Sequence, residues 1–142
     1  MILELEKKEM PYISELFAGW EETMIWSCFQ GYMGRAFVLT KNSPASAQVV
    51  IGDFCFLAGI PEAELIRHTP EGYTGKTFLL VPQNKEWNPY IEEIWGERAR
   101  KSCRYAIKKE KDVFDTAKLH KFTEEVPPEY ELKRIDRMLY ER

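Results

Sequence analysis

Gly72–Thr77, GYTGKT, offers the residues from which phosphate cradles are made. A nucleotide P-loop has the pattern GxxxxGK[ST] and opens a helix whose free N–H groups face the phosphates. Gly75, Lys76 and Thr77 supply the end of that pattern, but Pro70 stands where its first glycine belongs. The segment that follows, FLLV, has the pattern of a strand. The stretch therefore reads as a glycine-rich turn entering a strand. Nucleophile chemistry fares no better. His68 and His120 are the only histidines, and neither stands at metal-ligand spacing from a cysteine or from the other. Cys28, Cys55 and Cys103 form no CxxC pair, and each sits in an apolar periodic pattern that suits an inert buried thiol. No GxSxG elbow is present. No catalytic residue and no metal ligand is assigned.

Charge and aromatic side chains leave two binding candidates. Between Arg98 and Lys111, seven basic residues face Glu110 alone, in a chain of net charge −3. Arg100, Lys101 and Arg104 could hold a phosphate-bearing ligand by bidentate contacts. The competing reading is a solvated strand face whose lysines discourage edge pairing. Tyr105 alone is too little aromatic surface for a single-stranded nucleic-acid track. The second candidate is the aromatic group Trp20, Trp26, Tyr32 and Phe37. Trp26 lies off the apolar stripe made by Met24, Ile25, Cys28 and Phe29. It either lines a groove or an interface, or packs under a neighbouring loop.

These residues need elements to hold them. Met1–Leu5 reads as a short strand or an extended lead-in. Ile13, Leu16, Phe17 and Trp20 mark the face of a first helix that Pro11 opens and Gly19 ends. A second helix carries Glu21 and Glu22 in its first turn and closes at Gly31. Strands follow at Arg35–Thr40, Ala47–Ile51 and Phe54–Gly59, the last two joined across Gly52-Asp53 as a hairpin. Their continuously apolar runs predict a sheet covered on both faces. One helical turn is expected near Glu62–Ile66 and a strand at Lys76–Val81. A third helix is expected from an Asn88 cap with Pro89 at its first position, carrying Tyr90, Ile91, Ile94 and Trp95 and ending at Gly96. Cys103–Lys109 reads as a strand and Thr116–Glu124 as a short helix before Pro127-Pro128. At the end of the chain Glu131–Ile135 reads as a strand and Asp136 as a helix cap, so residue 142 looks like a seam in something longer. The order helix, helix, strands, helix, strand gives an α/β or α+β sandwich.

A length of 142 residues fits one domain with a proper core, and 44% apolar residues exclude a disordered chain. No apolar run reaches the roughly 20 residues of a membrane span, and the first residues lack signal-peptide order. Unpaired cysteines point to a reduced, cytoplasmic setting. Neither nucleic acid nor membrane is an expected partner.

Taken in order, FQGYMGRAFV, NSPASAQVVIGDFCFLAG, CRYAIKK and PPEYELKRIDRMLYE carry a likeness through nearly the whole chain. It resembles the N-terminal half of the zwittermicin-resistance-type acetyltransferases, a branch of the GNAT superfamily of N-acetyltransferases. The resemblance implies a mixed, largely antiparallel sheet flanked by helices in each of two lobes. It implies residues 1–126 as the N-terminal lobe and residues 127–142 as a linker strand and helix start leading to a C-terminal lobe. Acetyl-CoA would be held by that other lobe, on an [RQ]xxGx[GA] turn between a strand and a helix. No such turn occurs here: Pro70 follows Arg67, Glu86 follows Gln83 and Val38 follows Arg35 where glycine is required. The cofactor is therefore expected in the full-length protein and not on this chain alone. By the same resemblance the first two helices border an acceptor groove, where Glu21, Glu22 and Trp26 could touch a small cationic amine. The bland reading of the three is dipole-favoured surface acids and a packed indole. The expected partner is the C-terminal lobe, or a second copy if the chain is a self-associating binding or regulatory module that has lost the chemistry. A third reading is a small intact enzyme that uses the basic strand for a phosphorylated ligand.

Overall fold

The structure, a computed structural model, describes residues 1–103, 105 and 112–140. The chain divides into two compact units, Met1–Lys101 and Ser102–Arg142.

The first unit is built on one five-stranded sheet in the order β1-β2-β3-β4-β5. Its strands are β1 (Leu3–Glu4), β2 (Arg35–Val38), β3 (Ser46–Ile51), β4 (Phe54–Gly59) and β5 (Leu79–Pro82). The first four pair antiparallel, and β4 pairs parallel to β5. The turn between β3 and β4 is the predicted two-residue one, with Ile51 opposite Phe54 and Gly52 at φ +56°. The crossover from β4 to β5 carries α3 (Ala63–Arg67), as a parallel pair requires a long connection. The mixed, largely antiparallel sheet with helices on its faces is the expected fold class.

Alternation along the strands explains the continuous apolar runs. Ala36, Val38, Ala47, Val49, Phe56 and Ala58 point to one face, where they meet Ile13, Phe17, Ile25 and Cys28. Those partners come from α1 (Pro11–Ser14), a 3₁₀ turn at Glu15–Phe17 and α2 (Thr23–Phe29). Phe37, Val50, Cys55 and Leu57 point to the other face, against Leu65 and Ile66 of α3 and Trp87 of α4 (Trp87–Trp95). A sheet with two covered faces has no polar face to alternate with.

Several boundaries differ from the sequence expectation. The first helix does not run through to Trp20: it tightens into the 3₁₀ turn and stops at Ala18, before Gly19 at φ +74°. Strand β5 begins at Leu79, not Lys76. The Tyr73 hydroxyl shares its one proton between Asp53 Oδ1 at 3.0 Å and the Thr77 carbonyl, which holds the glycine-rich stretch as a loop. Helix α4 begins at Trp87 instead of after an Asn88 cap. Asn84 Oδ1 accepts from the Glu86 N–H at 2.9 Å and starts the turn early, which leaves Pro89 still within the first turn.

The second unit contains α5 (Thr116–Glu124) and α6 (Arg137–Tyr140). Asp115 caps α5, accepting from the Lys118 N–H at 3.0 Å. Glu131–Ile135, expected as a strand, has no strand pairing. Nearly every described side chain of this unit is exposed, Val126 being half-buried. The expected strand Cys103–Lys109 falls mostly outside the described residues; Cys103 and Tyr105, which are described, belong to no strand.

Candidate functional site

A shallow concavity lies on the α1–α2 face. Ser14, Phe17 and Gly19 face Trp26, Phe29 and Gln30 across an open cleft of about 330 Å³. Trp26 is 59% exposed, yet its position is fixed. Its Nε1–H donates to the Trp20 carbonyl at 3.3 Å. The Trp20 ring in turn lies edge-on to Phe56, with centroids 5.6 Å apart. An indole off the helix stripe thus stands as a cleft wall tied to the core. Sequence reasoning singled out this residue by its position off the stripe.

Glu21 and Glu22 do not join it in the lining. The two were expected in the first turn of α2, but the helix begins at Thr23. Glu22 is its N-cap, and the carboxylate accepts from the Met24 N–H at 3.3 Å. Glu21 is exposed beside it. The cleft lining is consequently aromatic and uncharged. Its faces suit an apolar group or a cation held against a ring. Ser14 donates to the Pro11 carbonyl at 2.9 Å, so no activated nucleophile or base lines the cleft.

The two buried thiols are poor nucleophiles. Burial pushes Cys28 up to about 11 and Cys55 up to about 12. Cys103 is exposed. On the basic stretch, Arg100 and Lys101 are exposed, and Lys101 Nζ lies 3.7 Å from Glu92 Oε1. Arg104 lies outside the described residues. Among the described residues no group of three His, Cys, Asp or Glu side chains could hold a metal. Nor is any helix among them long and apolar enough to cross a membrane.

Two polar nodes in the sheet were not anticipated. Gln48 is completely buried in β3. Its Nε2 has three acceptors for its two N–H groups, the Leu65 carbonyl at 2.9 Å, the His68 carbonyl at 3.1 Å and Cys55 Sγ at 3.1 Å. Three acceptors around that nitrogen leave Oε1 to accept from His68 Nδ1 at 2.6 Å. The imidazole proton is thereby placed on Nδ1. The only sequence signal was a glutamine inside the apolar run AQVVI.

The second node is at the carboxyl ends of the parallel strands. Gln83 Nε2 donates to the Leu16 carbonyl at 2.6 Å, and Gln83 Oε1 accepts from the Gly59 N–H at 3.4 Å. Trp87 Nε1 donates to the Gly59 carbonyl at 3.1 Å. From here β4 passes to α3 through Ile60, Pro61 and Glu62, with Glu62 as the helix cap residue. A pyrophosphate at such a turn needs free N–H groups and no opposing charge. Pro61 has no N–H and Glu62 brings a carboxylate, so this turn does not fit one.

The comparisons agree with this architecture. The family description "GNAT acetyltransferase" matches residues 14–142. Among solved structures, a GCN5-related N-acetyltransferase-like protein from Streptococcus suis 89/1591 is 40% identical, with a TM-score of 0.75. The match covers 94% of this chain and 53% of that one, so the chain spans about half the length of the solved relative. No match was found among curated proteins. With a family match over most of its length and that identity to a solved relative, the chain belongs to the GNAT acetyltransferase family.

Proposed function

We propose that this chain is the N-terminal lobe of a two-lobe N-acetyltransferase of the zwittermicin-resistance type. The whole protein transfers an acetyl group from acetyl-CoA to an amine, and this lobe by itself does not. One observation carries the reading: a 40% identical match covers 94% of this chain but only 53% of its relative. The remaining length of that relative is enough for a second lobe of similar size. The β4–α3 turn supports the same division, because its Pro61 and Glu62 are unsuited to the cofactor's pyrophosphate. Acetyl-CoA is then held by the other lobe. The aromatic cleft at Trp26 is the part of this lobe suited to border an acceptor amine, through ring faces and without the Glu22 carboxylate. The setting is the cytoplasm, where the cysteines stay reduced. Isothermal titration of residues 1–142 with acetyl-CoA tests the assignment. No heat of binding is expected in the micromolar range, and micromolar binding overturns it.

A second reading rests on the second unit, where Phe114, Tyr130, Leu132, Ile135 and Met138 are all exposed. A stand-alone module would bury such residues by self-association. Sedimentation at micromolar concentration separates the two readings: a dimer supports the module and a clean monomer removes it.

A further inference from the structure

We propose that the ligand crevice this lobe's own topology creates, beyond the carboxyl ends of β4 and β5, is filled by the side chains of Gln83 and Trp87. They lock the lobe as a scaffold that takes no coenzyme A there. The inference deepens the reading above, on which it rests, by naming what closes the site.

Open sheets bind ligands in the crevice outside the carboxyl ends of their parallel strands. Only β4 and β5 form such a pair among the described strands. Their ladder can be followed to its end. Leu79 N–H donates to the Asp53 carbonyl at 2.8 Å, and Gln83 N–H donates to the Leu57 carbonyl at 2.9 Å. Strand alternation turns the N–H and C=O of Gly59, two residues on, to the same side as those of Leu57. The main chain of β5 does not continue to meet them. Instead the Gly59 N–H goes to the Gln83 side-chain carbonyl, and the Gly59 carbonyl takes the Trp87 indole N–H. Two side chains thus supply the rungs at the point where the strands part.

The filling is tied down on all sides. The Gln83 amide nitrogen reaches across to the Leu16 carbonyl at 2.6 Å, joining the sheet end to the helical face. Trp87 is fully buried among Leu57, Leu65 and Ile66. Gly59 itself turns toward β3: its φ is +84°, and a Cβ there would lie 2.2 Å from the Ala45 carbonyl oxygen. The Ile60 N–H donates to that same oxygen at 3.0 Å. A carbonyl group entering the crevice would find the Gly59 N–H already taken. A phosphate entering from the α3 side would approach a cap position occupied by an acidic residue, Glu62.

Amide hydrogen exchange at Gly59 in the full chain, with and without millimolar coenzyme A, tests the lock. In the unaltered protein the Gly59 amide should exchange at the same slow rate in both conditions. In Gln83→Ala its exchange should accelerate about tenfold or more, because the amide loses its partner. Gln83→Met serves as a second variant: it keeps the volume, removes the hydrogen bonds and should accelerate Gly59 likewise if Gln83→Ala does not fold. Protection of Gly59 by coenzyme A in the unaltered protein overturns the proposal. So does unchanged Gly59 exchange in the variant that folds. Coenzyme A binding detected elsewhere, with Gly59 silent, would overturn the two-lobe reading and leave the lock standing.

Discussion

Helices α4 and α5 are both nine residues long and both carry an apolar stripe. They end in opposite conditions. In α4, Trp87 is fully buried, and Ile91, Ile94 and Trp95 pack on the same core. In α5, Leu119 and Phe122 remain 47% and 54% exposed. The difference lies in what each helix is tied to. Helix α4 leaves β5 after four residues, and its first side chain bonds the end of β4. Helix α5 is held by its own Asp115 cap and by local pairs such as Lys118 over the Phe122 ring. A stripe of apolar residues permits burial, but a chain connection to a sheet brings it about.

The largest test of this contrast is a pair of truncations. Trp87→Ala should cost about 3–5 kcal/mol in chemical denaturation, since it empties a fully buried site. Phe122→Ala should cost less than about 0.5 kcal/mol in the same transition. Equal losses would show that α5 is packed as firmly as α4. The buried amide comes next. Gln48→Ala removes its hydrogen bonds to the Leu65 and His68 carbonyls and to the His68 ring, the Leu65 carbonyl keeping the His68 N–H, and should lower the unfolding free energy by about 1–3 kcal/mol. A stability unchanged by this substitution would mean that solvent reaches the node.

A smaller effect separates the two helix caps. Glu22→Ala should reduce the stability of the sheet unit by about 0.5–1 kcal/mol, while Asp115→Ala should lower only the helical content of α5 by circular dichroism. The smallest effect is a pH slope. Burial first, and then the Arg35 charge, hold His68 below its ordinary value of 6.5, with Glu4 opposing them. The unfolded chain therefore takes up this proton before the folded one does. Stability contributed by neutral His68 is present above about pH 6.5 and is lost as the pH falls from there through the lower folded-state value. Glu4 is held below its ordinary range chiefly by its hydrogen bond from Arg35, so its contribution is lost in a separate, more acidic window. His68→Gln should flatten the upper slope in denaturation titrations and leave the lower one. A retained upper slope would assign it to another group.

The same contrast shows what could be read in advance. AQVVI and FCFLAG, split by Gly52-Asp53, specified two adjacent buried strands and their tight turn. Residue order alone does that, because strand alternation and a glycine at positive φ are local properties. Thr116–Glu124 was also legible, because Asp115 can cap a helix without any tertiary partner. Trp26 stood out by missing its helix stripe. Glu22 was misplaced by one turn position: as a first-turn acid it could face a ligand, but as the cap it turns back on the Met24 N–H.

The sequence by itself determined the alternation of helices and strands in the sheet unit, a sheet with two apolar faces and two buried thiols without activation. It also carried a family likeness spread over many weak matches. The tertiary structure decided the rest. Gln83 entered the sequence reading only as a failed start of the cofactor turn, yet its carboxamide joins Leu16 to Gly59 across stretches far apart in the chain. Gln48 stood inside a run read as continuously apolar, yet its carboxamide oxygen lies 2.6 Å from the ring nitrogen of a histidine twenty positions on. Such roles depend on which backbone groups are left unpaired when strands part and helices dock. Local sequence sets no such vacancy; only the assembled sheet does.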